Sequence, residues 1–266
     1  MERSVACWLH ADIAGHCDIV LSIAAARGAS IVSETLTATI DGAVIELEEV
    51  DDDHGVRLHR ANAVRTGHLG VQYQATVTGR AAPPVTDAID LVRYTRPSRY
   101  CESDRIAPFA RGEFGGLQGH QLLDAVTRWV GRRVEYVAGS SRPIDGAVAT
   151  LLARQGVCRD FAHLVVALLR GCDTPARLVS VYAPGLSPMD FHAVAEAYVD
   201  GQWYAADATG LAPRSEMLRI ATGRDAADTA FLTVAGDSLT LVSLEVFAVT
   251  DDDLPVDHGT QLVQLS

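Results

Sequence analysis

Gln155-Gly156-Val157-Cys158-Arg159-Asp160-Phe161-Ala162-His163 sets a cysteine between a glycine turn and an apolar, periodic segment. Over residues 158–170, Phe161, Leu164, Val165, Leu168 and Leu169 recur at three- and four-residue spacing, which predicts a helix with one buried face. Cys158 then stands at the helix N-terminus. Free backbone N–H groups and the positive end of the helix dipole stabilise an anion there, so the position favours a nucleophilic sulfur. Gly156 permits a tight backbone approach just before it. The plainer reading of a cysteine on a helix is a small buried hydrophobe, and position alone does not separate the two.

Downstream, residues 192–199 and 203–208 read as strands joined by Asp200-Gly201, the sequence of a two-residue hairpin turn. With that turn, Val199 faces Gln202, Tyr198 faces Trp203, and the pairing runs back to Val194 opposite Asp207. Side chains alternate along a strand, so His192 shares a face with Val194 and Asp207 becomes its diagonal neighbour, about 7–8 Å away between backbone positions. A cysteine, a histidine to take its proton and a carboxylate to fix the histidine tautomer are the parts of acyl transfer through a thioester. The same His and Asp also suit an ordinary surface hairpin, since the register rests on the turn type. Asp190 is nearer to His192 in sequence but lies in a loop with Pro184, Gly185 and Pro188. His163, five residues beyond Cys158 on one helix, is rotated away from it. Gln155 is a side-chain candidate to supplement the Cys158 N–H in stabilising an oxyanion.

The first eighty residues read as β-structure. Asp41-Gly42 separates the β-prone runs 33–40 and 43–50 in the manner of a hairpin, and Asp51-Asp52-Asp53-His54-Gly55 reads as a further turn. Over residues 68–78, Leu69, Val71, Tyr73, Ala75 and Val77 alternate with polar side chains, the period of a half-buried strand. Ala81-Ala82-Pro83-Pro84 ends this sheet, because proline cannot donate to a ladder. A boundary there divides the chain into a β-rich unit, residues 1–85, and a second unit, residues 86–266. The second is α+β, with helices expected over 117–133 and 147–154 and strands over 177–182 and 239–249.

Gly156 to His163, then Pro175-Ala176-Arg177, His192-Ala193, Trp203 and Asp207-Ala208-Thr209, resemble the core of the bacterial transglutaminase-like superfamily, within the wider papain-like group. The resemblance covers about residues 96–249, and the β-rich first part is similar to the N-terminal domain that many members carry. It implies a Cys158, His192, Asp207 triad and a papain/transglutaminase-like core in which the cysteine helix packs on an antiparallel sheet bearing the other two. Val194 stands where the family often has tryptophan, and Ala208 where it often has proline. These departures alter the cleft wall and leave the reacting groups in place.

Bulk properties narrow the function. At 266 residues and 48% hydrophobic content the chain can bury a sizeable core. A formal charge of −12 disfavours a phosphate backbone as partner, so no nucleic acid is expected. Five dispersed cysteines without a C-x-x-C pair argue against a disulfide framework or structural zinc, and no ligand spacing calls for a metal or cofactor. The start lacks the pattern of a signal peptide and no apolar run approaches a membrane span, which together lead to a cytoplasmic expectation. The leading expectation is a cysteine hydrolase cleaving an amide, peptide or isopeptide bond of a peptide or protein substrate. Transfer of the acyl group to an amine, and a catalytically silent binding module on the same fold, are the alternatives.

Overall fold

The computed structural model describes residues 1–266 apart from Asp53, Pro83, Pro84 and Ser266. The proposed proline break at Pro83-Pro84, and the middle of the turn at Asp53, lie outside the described residues.

The long alternating runs at the N-terminal end form one antiparallel sheet. Its strands are β1 (Glu2–Leu21), β2 (Ser30–Ile40), β3 (Ala43–Ile45), β4 (Glu48–Asp51) and β5 (Arg57–Thr78). The hairpin turn at Asp41-Gly42 pairs Ile40 with Ala43, and both turn residues have positive φ, 50° and 83°, as a two-residue loop matching the strand twist requires. In β5, Leu69, Val71, Tyr73, Ala75 and Val77 are all buried while Gln72 and Gln74 face water. Strands this long bend through bulges, here between Ile13 and His16 and between Cys17 and Ile19.

One strand falls elsewhere than expected. Residues 239–249, expected in the second unit, belong to β12 (Leu232–Thr250), which pairs along β1 from Arg3–Thr250 to Leu21–Leu232. The first sheet therefore runs β12-β1-β5-β2-β3, with β4 also on β5. A cut at residue 85 would leave it without an edge strand.

The second sheet runs β10-β9-β8-β11, from β8 (Ala176–Tyr182), β9 (Phe191–Val199), β10 (Gln202–Ala206) and β11 (Leu218–Gly223). Helices cover one side of it: α2 (Ser103–Phe114), α3 (Gly119–Arg133), α4 (Ala147–Ala153) and α5 (Cys158–Gly171), after a short α1 (Ala88–Arg93). Helix α5 is buried all round from Asp160 to Gly171, rather than on one face, because α2, α3 and α4 enclose the side turned away from β8 and β9. Each Leu or Val so enclosed contributes about 1.5–3 kcal/mol, which fixes the helix and the cysteine at its start. On its other side the second sheet meets the first: Tyr182, Leu218, Ile220 and Ala221 share a core with Cys7, Leu9 and Tyr73, and the Tyr182 hydroxyl donates to Ile23 O at 2.8 Å.

Polar side chains lie inside this second sheet. Glu196 of β9 accepts from Arg177 Nε at 2.7 Å and from Arg219 Nη2 at 2.6 Å, and the Arg177 guanidinium stacks 3.9 Å over Trp203. Burial opposes the Glu196 charge, but the two guanidinium groups hold its carboxyl well below the usual range.

Candidate active site

Local chemistry fixes the start of α5. Asp160, at the third helical position, accepts the Val157 N–H through Oδ2 at 2.9 Å, and the Ser141 hydroxyl donates to its Oδ1 at 3.0 Å. A Cβ on Gly156 would sit 2.7 Å from the Asp160 Cβ, so this cap requires glycine two residues before the cysteine. Cys158 at the head of the helix is half-buried, while Cys7, Cys17 and Cys101 are buried.

The hairpin has the expected register, Val199 with Gln202 and Tyr198 with Trp203, through a turn in which Asp200 and Gly201 have φ of 48° and 82°. Strand β10 stops at Ala206, one pair short of the expected Val194–Asp207 pairing. Asp207 is thereby free to turn. Its Oδ1 accepts the Thr209 N–H at 2.9 Å and the Thr209 hydroxyl at 2.6 Å, and its Oδ2 meets His192 Nε2 at 2.9 Å. The Cys158 sulfur acts electrostatically on the same imidazole and raises it. The structure thus brings together Cys158, His192 and Asp207 from a helix N-terminus, a strand and the residue after a strand.

Electrostatics bind the pair tightly. Burial alone would depress His192, but the Asp207 carboxylate and then the Cys158 sulfur outweigh it and raise the imidazole well above its ordinary value. Burial likewise disfavours the Asp207 carboxylate, and His192 and Thr209 hold it below the usual range. Both side chains are about 1–2% exposed, so solvent does little to screen them.

Among the described residues, the other candidates make no hydrogen bond to these three side chains. His163 is buried, stacks on Tyr100 with ring centroids 5.2 Å apart, and accepts the Ala226 N–H at Nε2; burial pushes its pKa down, which makes it a neutral packing group. Asp190 is exposed and accepts the Phe191 N–H at 2.7 Å. Gln155 is exposed on β7 (Gln155–Gly156), beside a groove of about 440 Å³ shared with Ser140, Arg142 and Asp160, and its amide forms no hydrogen bond among the described residues. Among those residues no group of three or more His, Cys, Asp or Glu side chains is gathered as metal ligands.

Tyr136 lies near Cys158. It lies on β6 (Glu135–Tyr136), a two-residue strand paired parallel with β7, Tyr136 opposite Gly156, and its ring rests 6.0 Å from Phe161. Burial, then Cys158 and Asp190, raise the pKa of its hydroxyl, and the Cys158 backbone acts in the opposite sense. Nothing in the sequence pattern marks it, since two residues carry no periodicity and the contact spans 22 positions.

A structure from Cytophaga hutchinsonii, described as a candidate cysteine protease, matches this chain at 32% identity and TM-score 0.88 over 98% of this chain and 95% of that one. The profile of the Transglutaminase-like superfamily matches residues 115–208, which hold Cys158, His192 and Asp207. The chain belongs to the transglutaminase-like superfamily. Its superfamily fellows include cysteine hydrolases and transferases. An uncharacterized protein of Mycobacterium leprae (strain TN) is 28% identical over 159 residues, and the chain spans about half, 55%, of that relative's length. The periplasmic domain of TgpA from Pseudomonas aeruginosa, at 20% identity over 77% of this chain and 76% of that one and TM-score 0.43, is too distant to add to the assignment. Among the described residues of this transglutaminase-like chain, no helix is long and apolar enough to cross a membrane.

Proposed function

We propose that the chain is a cysteine hydrolase acting on an amide, peptide or isopeptide bond of a protein or peptide. The observation that carries this reading is the buried 2.9 Å contact between His192 Nε2 and Asp207, with Cys158 near enough to raise the same imidazole. Asp207 holds Nε2, which leaves Nδ1 as the nitrogen that exchanges a proton with sulfur.

In the first step sulfur attacks the carbonyl carbon while its proton rests on His192. The tetrahedral oxyanion takes a position beside the Cys158 N–H, and the nearby Tyr136 phenol supplies a second donor. Collapse breaks the C–N bond, and His192 gives its proton to the departing amine. Water then attacks the thioester, with His192 taking one of its protons, and the acid leaves as the thiol is restored. The raised His192 suits the acid half of this cycle, because a group that holds its proton at neutrality can deliver it to a poor leaving group.

The test is incubation with peptide, isopeptide and glutamine-amide substrates, with and without an added primary amine, read by mass spectrometry. Free acid products that vanish in Cys158→Ala support hydrolysis. Products carrying the added amine would replace it by acyl transfer, and the chain offers no lysine of its own as a competing acceptor. No turnover on any substrate would favour the silent module.

A further inference from the structure

The outer face of the first sheet, turned away from the second, carries a second constellation. Three transverse rows cross its four main strands. Phe247, Ala6, Gln74 and Thr35 stand side by side on β12, β1, β5 and β2; Glu245, Trp8, Gln72 and Thr37 form the next row, and Val249, Ser4, Thr76 and Ser33 the row before. Ala6 is the smallest member of the middle row and only 4% exposed, so the sheet dips there between the Trp8 indole, the Phe247 ring and the Gln74 amide. The dip is a groove of about 370 Å³.

Its chemistry is unlike the rest of a chain of formal charge −12. Two aromatic rings are framed by hydroxyls and carboxamides, groups that both donate and accept. No arginine lines it; of the two carboxylates at its edge, Glu34 is taken by Arg57 at 2.7 Å and the Tyr73 hydroxyl at 2.7 Å, while Glu245 stands exposed beside Trp8. The three tryptophans also differ. The Trp129 indole N–H donates to Glu113 and that of Trp203 to Thr86, whereas that of Trp8 has no partner among the described residues.

From this we infer that the groove binds a neutral saccharide chain. The electron-rich faces of Trp8 and Phe247 suit the C–H faces of pyranose rings, and the Gln74, Thr35, Thr76 and Ser4 side chains, with the free indole N–H, suit alternating sugar hydroxyls. An anionic ligand would meet no cation there. A purely apolar partner would strip water from amides and hydroxyls without replacing their hydrogen bonds, at a cost of about 1–3 kcal/mol each. Such a site would hold the enzyme on a glycan-bearing substrate, at a distance from Cys158 and independent of which amide is cleaved.

Intrinsic fluorescence and calorimetry with chitohexaose, cellohexaose, xylohexaose and mannohexaose, on the full chain, test it. At least one should bind with a shift in tryptophan emission. Trp8→Ala and the exposed Gln74→Ala should each weaken that binding about tenfold or more, while iodoacetamide labelling of Cys158 stays unchanged. Absence of binding by all four sugars at millimolar concentration would overturn the inference, as would binding indifferent to both substitutions. So would a dimer in analytical ultracentrifugation that Trp8→Ala dissociates, for the face would then be a contact between two copies.

Discussion

The two sheets solve the same problem in opposite ways. The first buries one face and wets the other, so its strands alternate and its outer polar groups are solvated. The second is covered on both sides, and β8 and β11 are buried at nearly every residue. Polar groups inside it have no water to fall back on and must satisfy one another. That enclosure is what holds Glu196 between two arginines, and it is also what makes the contact between His192 and Asp207 strong. The proposed reactive chemistry sits where the protein is least tolerant.

The largest effect should come from Asp207→Asn, which keeps the shape but lets His192 take the wrong tautomer. Turnover of whichever bond is cleaved should fall about 10⁴-fold, whereas Asp190→Asn should change it by no more than a few-fold. Equal losses would mean that the hairpin does not set the partner of His192. Next, Glu196→Ala leaves two buried guanidinium groups uncompensated and should cost about 3–5 kcal/mol in urea unfolding. A loss no greater than that of an exposed substitution would show that the second sheet is as forgiving as the first.

A smaller effect depends on pH. His192 is raised in the folded protein, so its contribution to stability is full below its unfolded value of about 6.5 and is lost as pH rises towards the folded value. Asp207 is lowered, so its contribution is present above about 3.9 and lost as pH falls. The two describe one interaction. The stability gap between the native chain and Asp207→Asn should therefore be widest between about pH 4 and 6.5 and narrow steadily above it. A gap constant to pH 9, from urea midpoints, would remove the ion pair from the account. Smallest of all, Thr37→Ala on the outer face of the first sheet should shift stability by no more than about 0.5 kcal/mol.

What could be read from the sequence follows the same division. The hairpins at Asp41-Gly42 and Asp200-Gly201 were legible because the turn chemistry is local and sets the register, and the second of them led directly to Asp207 beside His192. The cysteine helix was legible from its period. Strand β11 was not, because a run buried on both sides has no alternation. Helix α2 carries Pro108 in its interior, which masks it as a break. The pairing of β12 with β1 joins opposite ends of the chain, and Tyr136 reaches Cys158 through a two-residue strand; no local signal encodes either.

The central claim is that Cys158 is an active thiol made so by His192. Limiting iodoacetamide at neutral pH, followed by peptide mapping, tests it without a substrate. Cys172 is the internal control: it is half-buried like Cys158, but burial pushes its thiol up and it sits at the opposite end of the same helix. The account expects Cys158 to be labelled before the other four cysteines in the native protein, and its rate to fall several-fold in His192→Ala, with circular dichroism showing both proteins folded. Labelling of Cys172 first, or a Cys158 rate unchanged by His192→Ala, would contradict it.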